Sequence, residues 1–256
     1  MYEAAKANIS GSERKTAVCY YGKKLSFDRV FYLVDALAEN LSARYGVGEG
    51  DAVTLCMPNS PSALLCFYAA NKLGAAVNLV HPYLPPEKLA ESAERTKSKL
   101  IVVYDSYPAF ASRVPVLESD NGFFMGLAAK LYYRCTAKKS GRKEKLEGLL
   151  KRANKGAFPP PVRFAEGAAA VYLASGGTTG EPKIIMHGNH AFNLLCAKAP
   201  EFLRYDVEEY GALYNVLPIF HGFGLCINMH MCMMMRKTNI MCAKFDAKRS
   251  AKEIVR

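Results

Sequence analysis

Apolar and polar positions along this chain follow two periods, one near two residues and one near 3.6, and the switches between them fall at turn-forming residues. Ala17 to Tyr21 and Leu25 to Phe27, parted by Gly22-Lys23-Lys24, predict an opening hairpin. Val30, Val34, Leu37, Leu41 and Tyr45 then hold one face of a helix, with Ser26 as its cap and Gly46 as its stop. Ala52 to Met57 reads as a short buried strand. Pro58-Asn59-Ser60-Pro61 turns the chain, Ser60 caps the next helix, and Pro61 opens it toward Gly74. Ala75 to Val80 is again strand-like, His81-Pro82 breaks it, Pro86 to Thr96 is helical, and Leu100 to Tyr104 is a strand. Strands alternating with helices through short turns predict an α/β fold with parallel, helix-covered sheets.

The pattern changes after residue 118. Between Asp120 and Gly156 ten basic residues stand against three acidic ones, which accounts for most of the chain's net charge of +11. Phe123, Leu127, Leu131 and Tyr132 form an apolar helical stripe beside those charges, the pattern of a membrane-surface helix. The preferred reading is a solvated amphipathic connecting helix packed on the domain. Peripheral membrane contact through 120–156 stays open, and no recognised RNA or DNA module supports nucleic-acid binding. Phe158-Pro159-Pro160-Pro161 closes the stretch as a stiff spacer. The predicted division is therefore a first α/β subdomain over 1–118, a basic insertion and Pro-rich spacer over 119–160, and a second, incomplete α/β subdomain over 161–256. In that last part Ala168 to Ala174, Ile184 to His187, Tyr210 to Leu217 and Thr238 to Cys242 are strand-like. Asn189 caps a helix to Leu203, and Leu225 to Met235 is a Met-rich helix read as core packing rather than a cofactor box.

Composition narrows the functional classes. A chain of 256 residues with 50% apolar and 22% charged residues describes a globular protein. The polar start and the lack of any bilayer-length apolar run predict a cytoplasmic location. Eight cysteines are scattered without a Cys-x-x-Cys pair, and Cys66 and Cys196 sit in apolar runs, which predicts buried reduced thiols. His187 with His190, and His221 with Cys226 and His230, lack a recognised ligand spacing, so no metal site is predicted on protein side chains. No Gly-x-Ser-x-Gly elbow and no Gly-x-Gly-x-x-Gly occur.

One stretch concentrates anion chemistry: Ser175-Gly176-Gly177-Thr178-Thr179-Gly180-Glu181-Pro182-Lys183, between two strand-like runs. Glycines let backbone N–H groups approach an anion, while hydroxyls and an ammonium add donors and charge. Pro182 before Lys183 rules out a Walker loop, and the β-branched start of Ile184-Ile185-Met186 predicts a strand, not a helix, after the loop.

The run from Ser175 to Lys183 resembles the phosphate-loop signature of the adenylate-forming superfamily, which includes acyl- and aryl-CoA synthetases, peptide-synthetase adenylation domains and luciferases. Ile184 departs from the usual glycine after the lysine. Pro218-Ile219-Phe220-His221-Gly222-Phe223-Gly224-Leu225 is similar to that superfamily's Pro-x-x-His-x-x-Gly-Leu segment, in the form familiar from fatty-acyl members. Pro58-Asn59-Ser60-Pro61 and Lys72-Leu73-Gly74-Ala75 match its N-terminal region. The resemblance implies activation of a small-molecule carboxylic acid, a fatty acid by the apolar side chains after His221, to an acyl-adenylate with ATP and Mg²⁺ and then to a thioester with CoA. It implies that Ser175, Gly176, Gly177, Thr178, Thr179, Gly180 and Lys183 hold the nucleotide phosphates. Thr178, Lys183 and His221 would act at the reacting centre, and His221, Gly222, Phe223 and Gly224 would line the acid site. The family's Tyr-Gly-x-Thr-Glu segment, ribose aspartate and C-terminal lysine find no match within these residues. The expectation is thus an N-terminal part that forms little thioester alone, with an inactive remnant, a partner-binding module or a basic surface-binding protein as the alternatives.

Overall fold

The computed structural model describes residues 1–137, 140–142, 144–151, 158–175, 183–203 and 211–254. After a short helix α1 (Tyr2–Ala7), strands β1 (Thr16–Tyr20) and β2 (Lys23–Ser26) form the expected hairpin and lead into helix α2 (Phe27–Tyr45). Gly46 ends α2 in the left-handed region at φ 62°, a conformation that glycine adopts without Cβ strain. Ser26 stands at the cap position, but its hydroxyl donates to the Asp28 carboxylate instead of accepting a helix N–H. Strand β3 (Ala52–Cys56) precedes helix α3 (Pro61–Lys72), which Ser60 does cap, its Oγ accepting from the Ala63 N–H at 3.2 Å. Strand β4 (Ala76–Leu79), helix α4 (Pro86–Arg95), strand β5 (Ser98–Tyr104) and strand β6 (Val116–Ser119) follow.

Helices α5 (Leu127–Thr136) and α6 (Leu146–Lys151) occupy the basic stretch, with Leu146, Leu149 and Leu150 of α6 buried in the main core. Then come strands β7 (Val171–Ala174) and β8 (Ile184–His187), helix α7 (Asn189–Leu203) and strand β9 (Ala212–Asn215). The Met-rich segment begins as a π-helix over Gly224–His230 and becomes α-helical only in α8 (Met231–Met234). Strand β10 (Thr238–Met241) and helix α9 (Ala247–Ile254) complete the described elements.

The strands form two sheets, ordered β6-β5-β3-β4-β7-β8 and β2-β1-β10-β9. Neighbours are parallel except in the β1/β2 and β7/β8 pairs. Each sheet joins strands far apart in sequence, since β4 pairs with β7 and β1 with β10. Strand β5 shows how the larger sheet is covered on both faces. Leu100 and Val102 enter the main core, whereas Ile101 and Val103 join a second cluster with Leu89 and Ala93 of α4. Because both faces are dry, β3 and β4 are buried at every position, and their polar members pair in the interior, Asn78 Nδ2 donating to Thr54 Oγ1 at 3.0 Å.

Two charged groups within the helical layers bear on stability. Asp35 of α2 accepts from Lys72 of α3 at 2.7 Å and from Lys6 of α1 at 2.8 Å, and the Tyr2 hydroxyl also donates to it. Burial alone would raise the Asp35 carboxyl, but these donors outweigh it and hold it below the usual carboxylate range. Glu147 of α6 has the opposite balance. Burial pushes its carboxyl up to about 7, although the Ser119 hydroxyl and the Asp120 N–H both donate to it.

A folded-state value above the unfolded one means that the native state binds more protons in between, so stability falls as pH rises from the unfolded Glu value through about 7. Glu147→Gln, which keeps an accepting oxygen, should therefore stabilise the chain by on the order of 2 kcal/mol at pH 8, with the gain vanishing near pH 4. Urea unfolding at the two pH values measures this, and an equal effect at both would refute it. Gly224→Ala should destabilise by about 3 kcal/mol or more, because a Cβ there would stand 2.0 Å from the Pro218 carbonyl oxygen. The same denaturation assay reads it, and a loss under about 1 kcal/mol would show that the backbone yields.

Candidate functional site

The candidate side chains among the described residues gather where several strands end at their carboxyl termini, the usual ligand position in open α/β sheets. Strand β7 ends at Ala174 and the antiparallel β8 starts at Ile184, so the anion loop joins two strands as its β-branched exit predicts. The base of the loop is tied by two reciprocal bonds. The Ser175 N–H donates to the Lys183 carbonyl at 2.8 Å, and the Lys183 N–H donates to Ser175 Oγ at 3.1 Å. Gly176, Gly177, Thr178, Thr179 and Gly180, with Glu181 and Pro182, lie outside the described residues. Ser175 thus acts first as a clasp, and Lys183 leaves it exposed to solvent at the exit.

The second predicted segment approaches from the other sheet. Beyond β9, Asn59 holds the chain: its Nδ2 donates to the Leu217 carbonyl at 3.0 Å, and its Oδ1 accepts from the Ile219 N–H at 3.0 Å. A further contact from Asn59 Nδ2 reaches Asn215 Oδ1 at 3.2 Å. Asn59 follows β3, so a loop of the six-stranded sheet fixes a loop of the four-stranded one. His81, just after β4, adds a second tie, its ring 4.7 Å from that of Phe220, which in turn lies 4.7 Å from the His221 ring. His221 is exposed, and its carbonyl accepts from the Leu225 N–H at 2.9 Å as the π-helix begins. Gly222 sits beside β7, since a Cβ built on it would lie 3.6 Å from Leu173 Cδ1. The structure therefore brings Ser175, Lys183, His221 and Gly222 to one end of β7, with Phe223 exposed and Gly224 buried next to them.

Asn59 and His81 were not singled out from sequence as site-building residues. The signal for Asn59 was present in Pro58-Asn59-Ser60-Pro61, but its hydrogen bonds span 158 and 160 positions and no local pattern encodes them. The methionines behave as core: Met229, Met231 and Met233 are buried in the main cluster. His230 is engaged through both ring nitrogens, Nδ1 with Tyr68 OH at 2.8 Å and Nε2 with Asn193 Oδ1 at 2.9 Å, and burial lowers its pKa to about 3. It cannot join the exposed His221 in a metal set. Cys66 and Cys196 are buried free thiols, with the Cys196 and Cys226 sulfurs 3.4 Å apart.

Among the described residues no helix is long and apolar enough to cross a membrane. The 3-hydroxypropionyl-coenzyme A synthetase of Metallosphaera sedula is 26% identical over 75% of this chain and 31% of its own length. The long-chain-fatty-acid–CoA ligase of Bacillus subtilis is 26% identical over 91% of this chain and 44% of its own. The chain thus spans less than half the length of either relative. The crystal structure of apo MatB from Rhodopseudomonas palustris superposes with a TM-score of 0.78 over 100% of this chain and 47% of that one, at 20% identity, which shows a shared fold. With residues 5–256 matching the family model of the AMP-binding enzymes, and with the Ser175–Lys183 loop and the His221 segment at one end of β7, the chain belongs to the AMP-binding enzyme family.

Proposed function

We propose that this site activates a carboxylic acid in two steps. The acid's carboxylate attacks the α-phosphorus of ATP to give an acyl-adenylate and release pyrophosphate; the thiol of CoA then takes the acyl group and AMP leaves. The observation that carries this reading is the convergence of the clasped anion loop and His221 at the end of β7. The glycines and hydroxyls between Ser175 and Lys183 are the residue types that supply donors to an anion, and donors fixed before reaction stabilise charge without reorganising. Lys183 at the exit supplies an ammonium to oxygens that gain charge during displacement. When bound with the nucleotide, Mg²⁺ would neutralise further phosphate charge. A carboxylate nucleophile is already ionised at neutral pH, so His221 serves to position the acid rather than to remove a proton. Gly176, Gly177, Thr178, Thr179 and Gly180 are proposed as phosphate donors from the sequence.

The acid site is proposed to take an alkyl chain beside Gly222, Phe223 and Leu173. Phe223 is exposed next to His221, and no carboxylate or ammonium partner for a polar acid is found on Leu217 to Phe223. The relatives named above act on acids as different as 3-hydroxypropionate and long-chain fatty acids, so the length is set by this chain's own pocket. A pyrophosphate-release assay on the gene product, with alkyl, aryl, short polar and amino acids, tests the proposal. Lys183→Ala should lower kcat/KM by roughly 10²- to 10³-fold for every acid. Gly222→Leu should lower long-chain activity by about tenfold or more while leaving acetate within about threefold, because only the longer substrate needs the space beside Leu173. A preference for amino acids, or equal loss on both acids, would overturn the alkyl assignment; wild-type rates in Lys183→Ala would overturn the site.

A further inference from the structure

Helix α5 is built the wrong way round for an element packed on a domain. At about 100° per residue, Leu127, Ala128, Leu131, Tyr132 and Cys135 cover roughly 140° of its circumference. All five are exposed, with Leu127 76%, Leu131 54% and Tyr132 74% accessible. The inward side is carried by Ala129 and Tyr133, which pack against the main core. A solvated connecting helix would turn its apolar arc inward. Here the arc faces out on side chains that stand clear of the surface.

Lys130 and Arg134 border this arc on one side and continue into a cleft of about 390 Å³ whose other lining cations are Lys145 and Lys151. Lys145 is paired with Glu118, whereas the ion pairs among the described residues give Lys130, Arg134 and Lys151 no carboxylate. Of the two acids of the cleft, Asp120 accepts from the Gly122 N–H, and Glu147 accepts from the Ser119 hydroxyl and the Asp120 N–H. Lys23 extends the patch, with its ammonium 5.7 Å from the Phe123 ring centre and that of Lys130 at 5.8 Å from the same ring. The Lys23 pKa is lowered, chiefly by desolvation and then by the charges of Lys130 and Arg29, so these cations stand close enough to repel one another.

We propose that α5 and this cleft dock on an anionic phospholipid surface, with Leu127, Leu131 and Tyr132 entering the interface and Lys23, Lys130, Arg134 and Lys151 meeting lipid phosphates. Apolar side chains protruding beside unpaired cations match a bilayer interface, where acyl chains and phosphates occur together, and an interfacial tyrosine suits the headgroup layer. A polynucleotide would satisfy the cations but leave the apolar arc in water. The docking is independent of the proposed acid activation.

The chain contains no tryptophan, so Leu131→Trp places a single reporter on the arc. With phosphatidylcholine vesicles containing 30 mol% phosphatidylserine, its emission should shift to the blue and at least fivefold more protein should co-sediment than with phosphatidylcholine alone. Leu131→Asp and the double variant Lys130→Glu with Arg134→Glu, all on exposed or half-exposed positions, should each remove most of that binding while leaving the circular dichroism and melting curve unchanged. Added salt should weaken the binding in proportion to the charge it screens. The proposal fails if anionic vesicles bring down no more protein than neutral ones, or if both variants bind like the parent. It also fails if the tryptophan is already blue-shifted and shielded from quencher without vesicles, which would mean that polypeptide covers the arc. Binding to single-stranded RNA but not to vesicles would overturn it in favour of a nucleic-acid surface.

Discussion

The position of β7 in the larger sheet is set by Val77, Asn78 and Leu79 of β4, which pair in parallel with Val171, Tyr172 and Leu173, 94 positions later in the chain. Parallel pairing at that separation needs a long crossover and a surface that is dry on both sides, and the intervening helices provide both. Once the register is fixed, the carboxyl end of β7 has one place to go. The loop from Ser175 must leave at the same end of the sheet as the turns after β3 and β4, and those turns carry Asn59 and His81. The loop base, Asn59 and His81 thereby share one end of the sheet, and Asn59 draws the segment after β9 to it.

The fold treats its charges in two opposite ways. Asp35 is buried with Lys6, Lys72 and the Tyr2 hydroxyl, and its stabilisation by donors exceeds its desolvation, so three helices are locked by a paired ion. Around α5, Lys130 and Arg134 lie at the surface with no carboxylate among the ion pairs of the described residues. Losing an internal partner costs little where water can solvate the ammonium, and it leaves a field available to something outside the chain. Burial of Glu147 in the same cleft, with its carboxyl raised to about 7, further thins the negative charge there.

The junction of the two sheets combines a shared apolar core with close contact around Pro218. Asn59 reaches both sides of Pro218 by bonding the Leu217 carbonyl and the Ile219 N–H, and Gly224 lets the next turn come down on the Pro218 carbonyl. The π-helix that starts at Gly224 is a rare, wider-wound geometry that is frequent at functional sites. His221 is displayed at the surface while Leu225, Cys226 and Met229 are buried beyond it.

Local chemistry alone determined much of this. The hairpin at Gly22, the Gly46 stop, the Ser60 cap with Pro61, and the strand rather than helix after Lys183 all follow from φ/ψ preference and β-branching, forces that act within a few residues. The two motifs were legible for the same reason, since a phosphate loop is a local composition. Tertiary structure decided the rest. It drew β1 to β10 and β4 to β7, so that stretches far apart in sequence share sheets, and it made Asn59 and His81 part of the site. It turned the stripe on α5 outward, because periodicity identifies an apolar face but not which side of the helix the domain will cover, whereas Met229, Met231 and Met233 are buried as their Met-rich run was read. Strand β6 and helix α6 escaped notice as well, being too short to show a period and held by long-range pairing with β5 and burial against the main core.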